Sequence, residues 1–204
     1  MAIELPNTFD KLGEQLEVLT LGKNPITSIP EKLFQLKSLQ KIDLRGIKMS
    51  RLALNVIQLS NLTTLNLRDT STTKLPKQFS QLQYLTELDI SSNNFKDAFP
   101  MEICSIISLR TLDCSGCQLH QLPDSFVQLV NLINLDISRN NLMGLPIFSS
   151  FANLQQLDVS CNKLNTIPSF IFELPRLRFF SFSNNGLSLE HKKKLEQQFL
   201  IRVK

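Results

Sequence analysis

The 204-residue chain is 42% apolar and 20% charged, which excludes a disordered or coiled-coil protein and leaves enough apolar material for a continuous core. Its formal net charge of +4 comes mainly from residues 190–204, where five basic residues accompany two acidic ones. Because this basic run is short and terminal, it favours a solvated helix face over a nucleic-acid-binding arm.

Neither a secretory signal nor a membrane-spanning stretch can be recognised. The first 20 residues lack a basic start followed by an apolar run and a small-residue cleavage site, and no later apolar stretch approaches spanning length. We therefore expect a soluble, cytoplasmic protein, or one exported without a conventional signal peptide. The four cysteines are Cys104, Cys114, Cys117 and Cys161. Their spacing is unlike that of a small disulfide-rich domain, which favours a reducing compartment.

One motif occurs eight times along the chain: a leucine, an apolar residue three later, another two beyond that, and often an asparagine after three more. The motif recurs every 22 to 24 residues, and a fixed period in this range marks a solenoid whose units bury their apolar faces on one another. We count the positions of each repeat from its first leucine and number the repeats one to eight. The first leucines are Leu16, Leu39, Leu62, Leu85, Leu109, Leu132, Leu154 and Leu177.

Each repeat predicts a short strand followed by a turn and a return segment. The first, fourth and sixth positions are apolar and face inward, as in Leu85, Leu88 and Ile90, while the residues between them face outward. Proline then turns the chain to the outer side, where the return segment is too short for more than one or two helical turns. Asparagine at the ninth position can bond backbone groups of the turn; these residues are Asn24, Asn93, Asn140, Asn162 and Asn185.

These residues resemble the leucine-rich repeat family in its 23-residue form, LxxLxLxxNxLxxLPxxFxxLxx, over about residues 5–204. The resemblance implies an α/β solenoid, a right-handed curved horseshoe with a parallel β-sheet on its concave side and short 3₁₀, helical or extended segments on its convex side. It also implies a protein that binds protein partners and is not an enzyme. The repeats are similar to intracellular scaffolds and to leucine-rich repeat proteins of pathogenic bacteria, so a bacterial effector that acts on a host protein is one hypothesis. The alternative is a structural scaffold or spacer segment of a larger protein.

The register predicts a single domain over residues 1–204. It consists of an N-terminal half-repeat over residues 1–15, eight repeats over residues 16–187 and a C-terminal cap over residues 188–204. Ser188 is the expected N-cap of a short helix in that cap. The half-repeat pattern is carried by Leu5, Pro6, Phe9 and Leu12, and the cap helix and strand by Leu195, Phe199, Leu200 and Val203.

The strongest sign of chemistry is the pair Cys114 and Cys117, whose CxxC spacing is typical of a redox pair or half a zinc site. In the repeat register, however, Cys114 takes an inward strand position and Cys117 takes the ninth position, so both should be buried structural residues. No second CxxC or nearby histidine pair supplies further ligands, and the two histidines, His120 and His191, have no motif around them. We therefore assign no catalytic residue, metal or cofactor.

The outward strand positions of the eight repeats form the expected partner-binding face of a monomer. Its seven basic and eight acidic residues leave no positive groove for a phosphate backbone, so the expected partner is a protein and not nucleic acid. The basic residues are Lys23, Lys41, Arg45, Arg68, Arg110, Arg139 and Arg178; the acidic ones are Glu17, Asp43, Asp69, Glu87, Asp89, Asp113, Asp136 and Asp158.

Two parts of this face attract attention. Aspartate recurs at the fifth position, which suits a basic partner, although aspartate is also common there in the family. Repeats two and three carry Arg45 and Arg68 at the seventh position and depart from the repeat pattern, which marks either sequence drift or a functional site. The departures are Ile47 and Thr70 for asparagine, Thr72 for an inward leucine and Ala53 for proline.

At the other end, the strand register places Phe179 outward beside Arg178, a combination typical of interface anchors. Tyr84 is expected on the convex side. The candidate partner-binding residues are Arg45, Arg68, Asp69, Asp89, Asp113, Arg139, Arg178 and Phe179.

Overall fold

The computed structural model describes residues 11–13, 15–95 and 98–193. Within them lies one parallel sheet of eight strands, each paired with the next in chain order. This confirms the predicted solenoid with a parallel sheet along one side. The strands are β1 (Val18–Thr20), β2 (Lys41–Asp43), β3 (Thr64–Asn66), β4 (Glu87–Asp89), β5 (Thr111–Asp113), β6 (Asn134–Asp136), β7 (Gln156–Asp158) and β8 (Phe179–Ser181).

The strands pair in register, so that equal repeat positions lie side by side. Leu88 at the centre of β4, for example, pairs with Leu65 of β3 and with Leu112 of β5. The repeats of 22 and 24 residues keep this register, because the differences in length fall in the return segments. Neighbouring strands lie about 4.8 Å apart, so each outward position forms a row of side chains at that spacing.

The return segments run along the opposite side, and most contain a 3₁₀ helix. A proline precedes most of these helices and, as at Pro76 (φ −66°, ψ 144°), holds the extended backbone from which the helix starts. The return segment 147–153 of the short sixth repeat forms no 3₁₀ helix; instead the rings of Phe148 and Phe151 stack with centroids 4.9 Å apart. The described 3₁₀ helices are Glu31–Gln35, Leu54–Gln58, Lys77–Gln81, Met101–Ser105, Asp124–Gln128 and Ser169–Glu173.

The core lies between the sheet and the return segments. The central apolar residues of β2–β7 are at most 2% exposed, and phenylalanines from the return segments close the core on the other side. A fully buried leucine or phenylalanine contributes about 2 kcal/mol relative to its exposed state, so this unbroken apolar layer holds the repeats together. The phenylalanines in mutual contact are Phe99, Phe126, Phe148, Phe151 and Phe170.

Residues 189–193, which follow the last repeat, are helical. The Ser188 hydroxyl accepts a hydrogen bond from the His191 backbone N–H at 3.1 Å, which confirms Ser188 as the N-cap. The His191 ring is also engaged, because its Nε2 accepts a hydrogen bond from the Ile167 N–H at 3.0 Å and ties the helix to the seventh repeat. No helix among the described residues is long and apolar enough to cross a membrane. Outside the described residues lie most of the predicted half-repeat and the predicted cap residues Leu195, Phe199, Leu200 and Val203.

Candidate partner-binding face

We define the sheet face as the second, third, fifth, seventh and eighth positions of the eight repeats. These positions alternate with the inward leucines, so their side chains project from the side of the sheet that faces away from the core. Of all these residues only Ser91 and Ser138 are buried. The sheet face is therefore a broad accessible surface, as the sequence predicts.

The eighth position lies in the turn, three residues after the end of each strand, and has a backbone conformation that usually requires glycine. Its φ is positive in all eight repeats, between 54° and 74°, although only Gly46 and Gly116 are glycines. A side chain in this conformation is costly, so the contacts of the turn must impose it. Two candidate residues, Asp69 and Arg139, lie at this position, and their side chains therefore start from the turn and not from the flat part of the strand.

Buried asparagines tie each turn to the turn before it. The Asn140 Oδ1 accepts hydrogen bonds from the N–H groups of Cys117 and Leu119 in the preceding repeat, each at 3.0 Å. Its Nδ2 donates to the Cys114 carbonyl of that repeat and to two carbonyls of its own turn. The predicted bonding of the turn is confirmed, and most of it crosses between repeats. Asn93 makes the same set of bonds. Asn162 and Asn185 also donate to both repeats, but each accepts from one N–H of the preceding repeat, that of Leu142 or Leu164.

Cys117 occupies the ninth position of the fifth repeat and imitates an asparagine there. Its thiol donates to the Ile90 carbonyl at 3.2 Å and accepts a hydrogen bond from the Asn93 backbone N–H. Burial raises the pKa of Cys117 to about 12 and raises the pKa of Cys114 well above that of an ordinary thiol. Both thiols are free and buried, which confirms their predicted structural role. Among the described residues no group of three or more His, Cys, Asp or Glu side chains is placed to hold a metal ion.

The fifth-position aspartates have a structural task that the sequence analysis missed. One carboxylate oxygen of each accepts a hydrogen bond from the backbone N–H two residues later, as Asp113 does from Ser115 at 2.9 Å. Asn66 accepts the same bond from Arg68, also at 2.9 Å. In repeats two to seven the acceptor is thus either an aspartate or the neutral Asn66, so the bond does not need a negative charge. The aspartates that make this bond are Asp43, Asp89, Asp113, Asp136 and Asp158.

Negative charge is concentrated where four of these aspartates follow one another. The strand register places Asp89, Asp113, Asp136 and Asp158 side by side. Burial raises the pKa of Asp113, and the Asp89 carboxylate adds to the rise, whereas hydrogen bonds from the turn and the charge of Arg68 oppose it. Burial also raises the pKa of Asp136, with smaller contributions from its two aspartate neighbours. The charged forms of Asp113 and Asp136 are therefore held at a cost in stability.

Basic side chains lie over β2 and β3, and most of them are engaged. The Arg45 Nε pairs with the Asp43 carboxylate at 3.3 Å, and Lys48, which the sequence analysis did not select, pairs with Asp69. Arg68 reaches toward the fourth repeat, where its guanidinium donates to a serine hydroxyl at 3.4 Å. The candidates Arg45, Arg68 and Asp69 are thus neighbours with separate partners and do not form one cluster of free charges.

Two open depressions lie on the sheet face. One, of about 640 Å³, is bordered by Asp113, Arg178 and Phe179, and Phe179 is 65% exposed, as the register predicts. The other, of about 540 Å³, is bordered by Arg68, Asp113 and Arg139. Five of the eight candidate residues thus border one depression or the other, and Asp113 borders both. Outside both depressions lie Arg45, Asp69 and Asp89.

An edge strip of exposed apolar side chains lies in the turns through which the chain enters β4, β5 and β6. We define this edge strip as Tyr84, Ile107 and Val130, which occupy the turn before the strand in successive repeats and are 68%, 54% and 39% exposed. Tyr84 lies beside Gln40 and Thr63 of the sheet face, so our placement of Tyr84 on the convex side was wrong. The repeat motif does not predict the edge strip, because these residues precede the motif; the signal for it in the sequence is their apolar character.

Comparison with known proteins identifies the family. Models of the leucine-rich repeat match residues 60–119, 131–154 and 153–174. The chain belongs to the leucine-rich repeat family. Domains of this family generally act as protein-interaction modules and are typically not enzymes. No curated protein matches this leucine-rich repeat chain.

Two solved structures illustrate the likeness of fold. A leucine-rich repeat protein of Leptospira interrogans has a TM-score of 0.74 and 24% sequence identity over 94% of this chain. The plant peptide hormone receptor RGFR1, solved in complex with RGF2, has a TM-score of 0.73 and 26% identity over 87% of this chain. The chain spans 61% of the length of the Leptospira protein and 30% of the length of the plant receptor.

Proposed function

We propose that this leucine-rich repeat chain is a protein-binding module that holds its partner on the sheet face. The observation that carries the proposal is the accessibility of this face, including the 65% exposed ring of Phe179 beside Arg178. Aromatic and arginine side chains supply much of the binding energy of protein interfaces when a partner buries them. A large exposed aromatic side chain on a regular sheet is therefore suited to serve as an anchor.

The chemistry of the remaining side chains supports binding in preference to catalysis. Cys114 and Cys117 have thiols that are buried and have raised pKa values, and such thiols are poor nucleophiles. The His191 ring nitrogen is occupied by a backbone N–H of the seventh repeat. These groups have structural tasks that account for their presence.

The proposal is tested by capturing the partner from a lysate of the source cells and measuring its affinity for variants. Arg68→Ala and Phe179→Ala should each weaken binding about thirtyfold, because truncating an interface hot spot costs about 2 kcal/mol or more. The melting temperature should change little, because both side chains are exposed. Met101→Ala is the matched control, since this side chain is 62% exposed on a return-segment 3₁₀ helix. Normal binding by both sheet-face variants, with loss of binding in the control, would contradict the proposal and favour the spacer alternative.

The effector hypothesis, in which the partner is a host protein, remains a prediction, as does the monomeric state. The likeness to the Leptospira protein, at 24% identity, supports the fold and not a role. Capture of the same partner from host lysate but not from bacterial lysate would support the effector hypothesis. Light scattering of the purified chain tests the monomeric state.

A further inference from the structure

The negative charge over β4–β7 is not explained by the turns beneath it. We call Asp89, Asp113, Asp136 and Asp158 the acid row. Asn66, at the same position of the third repeat, shows that a neutral amide accepts the turn hydrogen bond at the same distance as Asp113. A row of asparagines would therefore support the turns without placing four charges on strands about 4.8 Å apart. The charge itself requires a separate explanation.

No ion pair among the described residues joins the acid row to a basic side chain, although the charge of Arg68 opposes the rise in the pKa of Asp113. The described ion pairs join Arg45 to Asp43 and Lys48 to Asp69, both over β2 and β3. Over repeats four to seven, the sheet face carries the four aspartates and Glu87 against two arginines, Arg110 and Arg139. This part of the sheet face is thus net negative although the whole chain is net positive, and it is complementary to a cation.

Apolar side chains border this part of the sheet face. The edge strip follows the turns that lead into β4, β5 and β6, and Phe179 lies at the β8 end beside the depression that Asp113 borders. Exposed apolar side chains grouped beside a polar surface are typical of interaction sites. A ligand that matches this surface carries both positive charge and apolar side chains, which a simple cation does not.

We propose that the protein partner presents a cationic amphipathic segment, whose lysine or arginine side chains lie on the acid row while its apolar side chains contact the edge strip or Phe179. This inference depends on the proposed function, because it names the partner chemistry of the same sheet face. The acid row spans three strand spacings, about 14 Å. A helical segment crosses that distance in about ten residues, so a short segment is sufficient.

The test measures the anisotropy of a fluorescein-labelled peptide of about 14 residues, built from lysine and leucine with lysine every three or four residues so that one helical face is basic. A matched peptide has glutamate in place of lysine. The lysine peptide should bind the full chain at low salt, and the glutamate peptide should not. Asp113→Asn combined with Asp136→Asn should weaken the lysine peptide about tenfold, since both changes remove charge and keep the turn hydrogen bond.

The matched control is Asp124→Asn combined with Glu173→Gln, which removes the same charge from exposed positions on the return side. This control variant should change peptide binding less than about twofold, because salt screens charges on the return side from a peptide on the sheet face. A further variant, Tyr84→Ala, should weaken the lysine–leucine peptide but not an oligolysine of equal length, since oligolysine offers no leucine to the edge strip.

Three results would overturn the inference: equal binding of the lysine and glutamate peptides, equal weakening by the control variant, or self-association of the chain that the acid-row variant abolishes. The last result would make a second copy the occupant. The inference also fails, while the proposed function stands, if a captured protein partner is lost in Phe179→Ala and unaffected by the acid-row variant.

Discussion

Repeats two and three bond their buried turns differently from repeats four to seven. The regular repeats use mainly asparagine, with Cys117 as a substitute. In the second repeat Ile47 stands at the asparagine position, and the Met49 N–H donates to the Thr70 carbonyl at 2.8 Å. In the third repeat Thr70 Oγ1 donates to the Leu67 carbonyl and lies 2.7 Å from Thr72 Oγ1. Local hydrogen bonds thus compensate for the departures from the repeat pattern in repeats two and three. A departure therefore does not by itself mark a binding site.

The largest contrast that sharpens this comparison is expected among the thiols. Buried Cys117, which replaces an asparagine, should react with an aromatic disulfide reagent at least about a hundredfold more slowly than half-buried Cys161, because burial blocks access and raises the pKa of Cys117. The kinetics of thiol titration in the folded protein measure this ratio. After unfolding, four free thiols should titrate, and elemental analysis should find no stoichiometric zinc. The Cys161→Ser variant removes the accessible thiol. Rapid reaction of Cys117 in this variant would show that the turn around Cys117 opens more readily than a turn bonded by asparagine.

The next effect concerns the two kinds of turn directly. Asn140→Ala should lower the free energy of unfolding by about 2 to 3 kcal/mol, because buried N–H and carbonyl groups in two repeats lose their partners. Thr70→Ala should cost about 1 kcal/mol, because Asn93 still accepts the N–H groups of Thr70 and Thr72. Urea midpoints give both values. Equal urea midpoints for the two variants would mean that Asn140 stabilises its turns no more than Thr70 does.

A smaller change should make the fifth repeat more regular. Cys117→Asn should raise the free energy of unfolding by about 1 kcal/mol, because an amide oxygen is a stronger acceptor than sulfur for the Asn93 N–H and the amide nitrogen is a stronger donor to the Ile90 carbonyl. Cys117→Ala serves as the control and should lower stability. If the asparagine variant is as unstable as the alanine variant, the fifth repeat lacks the space that its neighbours provide.

The smallest effect should appear in the pH dependence of the acid row. The pKa of Asp113 is raised in the folded state, so the folded protein binds more protons than the unfolded chain just above the ordinary aspartate pKa of about 3.9. The wild-type stability therefore falls as the pH rises through the raised value. Asp113→Asn should raise the urea midpoint slightly at neutral pH, and the gain should disappear in acid. Asn66→Asp should lower the urea midpoint slightly at neutral pH. If neither variant changes the pH dependence of the urea midpoint, the negative charges of the acid row do not lower stability.

The leucine period was sufficient to predict the sheet, because strands that recur once per repeat pair with the same repeat positions side by side. The outward ring of Phe179 and the burial of Cys114 and Cys117 followed from the same register and are confirmed. Phe179 and Cys114 follow from the alternation of side chains along a strand, and Cys117 follows from the recurring asparagine position of the repeat.

Features that depend on turn geometry could not be predicted in this way. The pairing of Lys48 with Asp69 joins a loop residue to a turn residue with positive φ, and alternation does not determine the direction of either side chain. Tyr84 was misplaced for the same reason, since it precedes the strand. The turn bond of the aspartates was missed because an acidic residue on an outward position suggests a ligand before it suggests a backbone acceptor.

The asparagine bonds also give the array a polarity. Each ninth-position asparagine from Asn93 onward supplies an acceptor to the turn of the repeat before it. Cutting the chain between repeats five and six would therefore remove the acceptor of the Cys117 and Leu119 N–H groups from the N-terminal piece. The C-terminal piece would lose fewer hydrogen bonds, because Asn140 would still donate to carbonyls of its own turn, as Asn24 donates to the Leu21 carbonyl. For a gene that grows by tandem duplication, each inserted unit brings the acceptor that the unit before it needs, so the array can lengthen without leaving an internal turn incomplete.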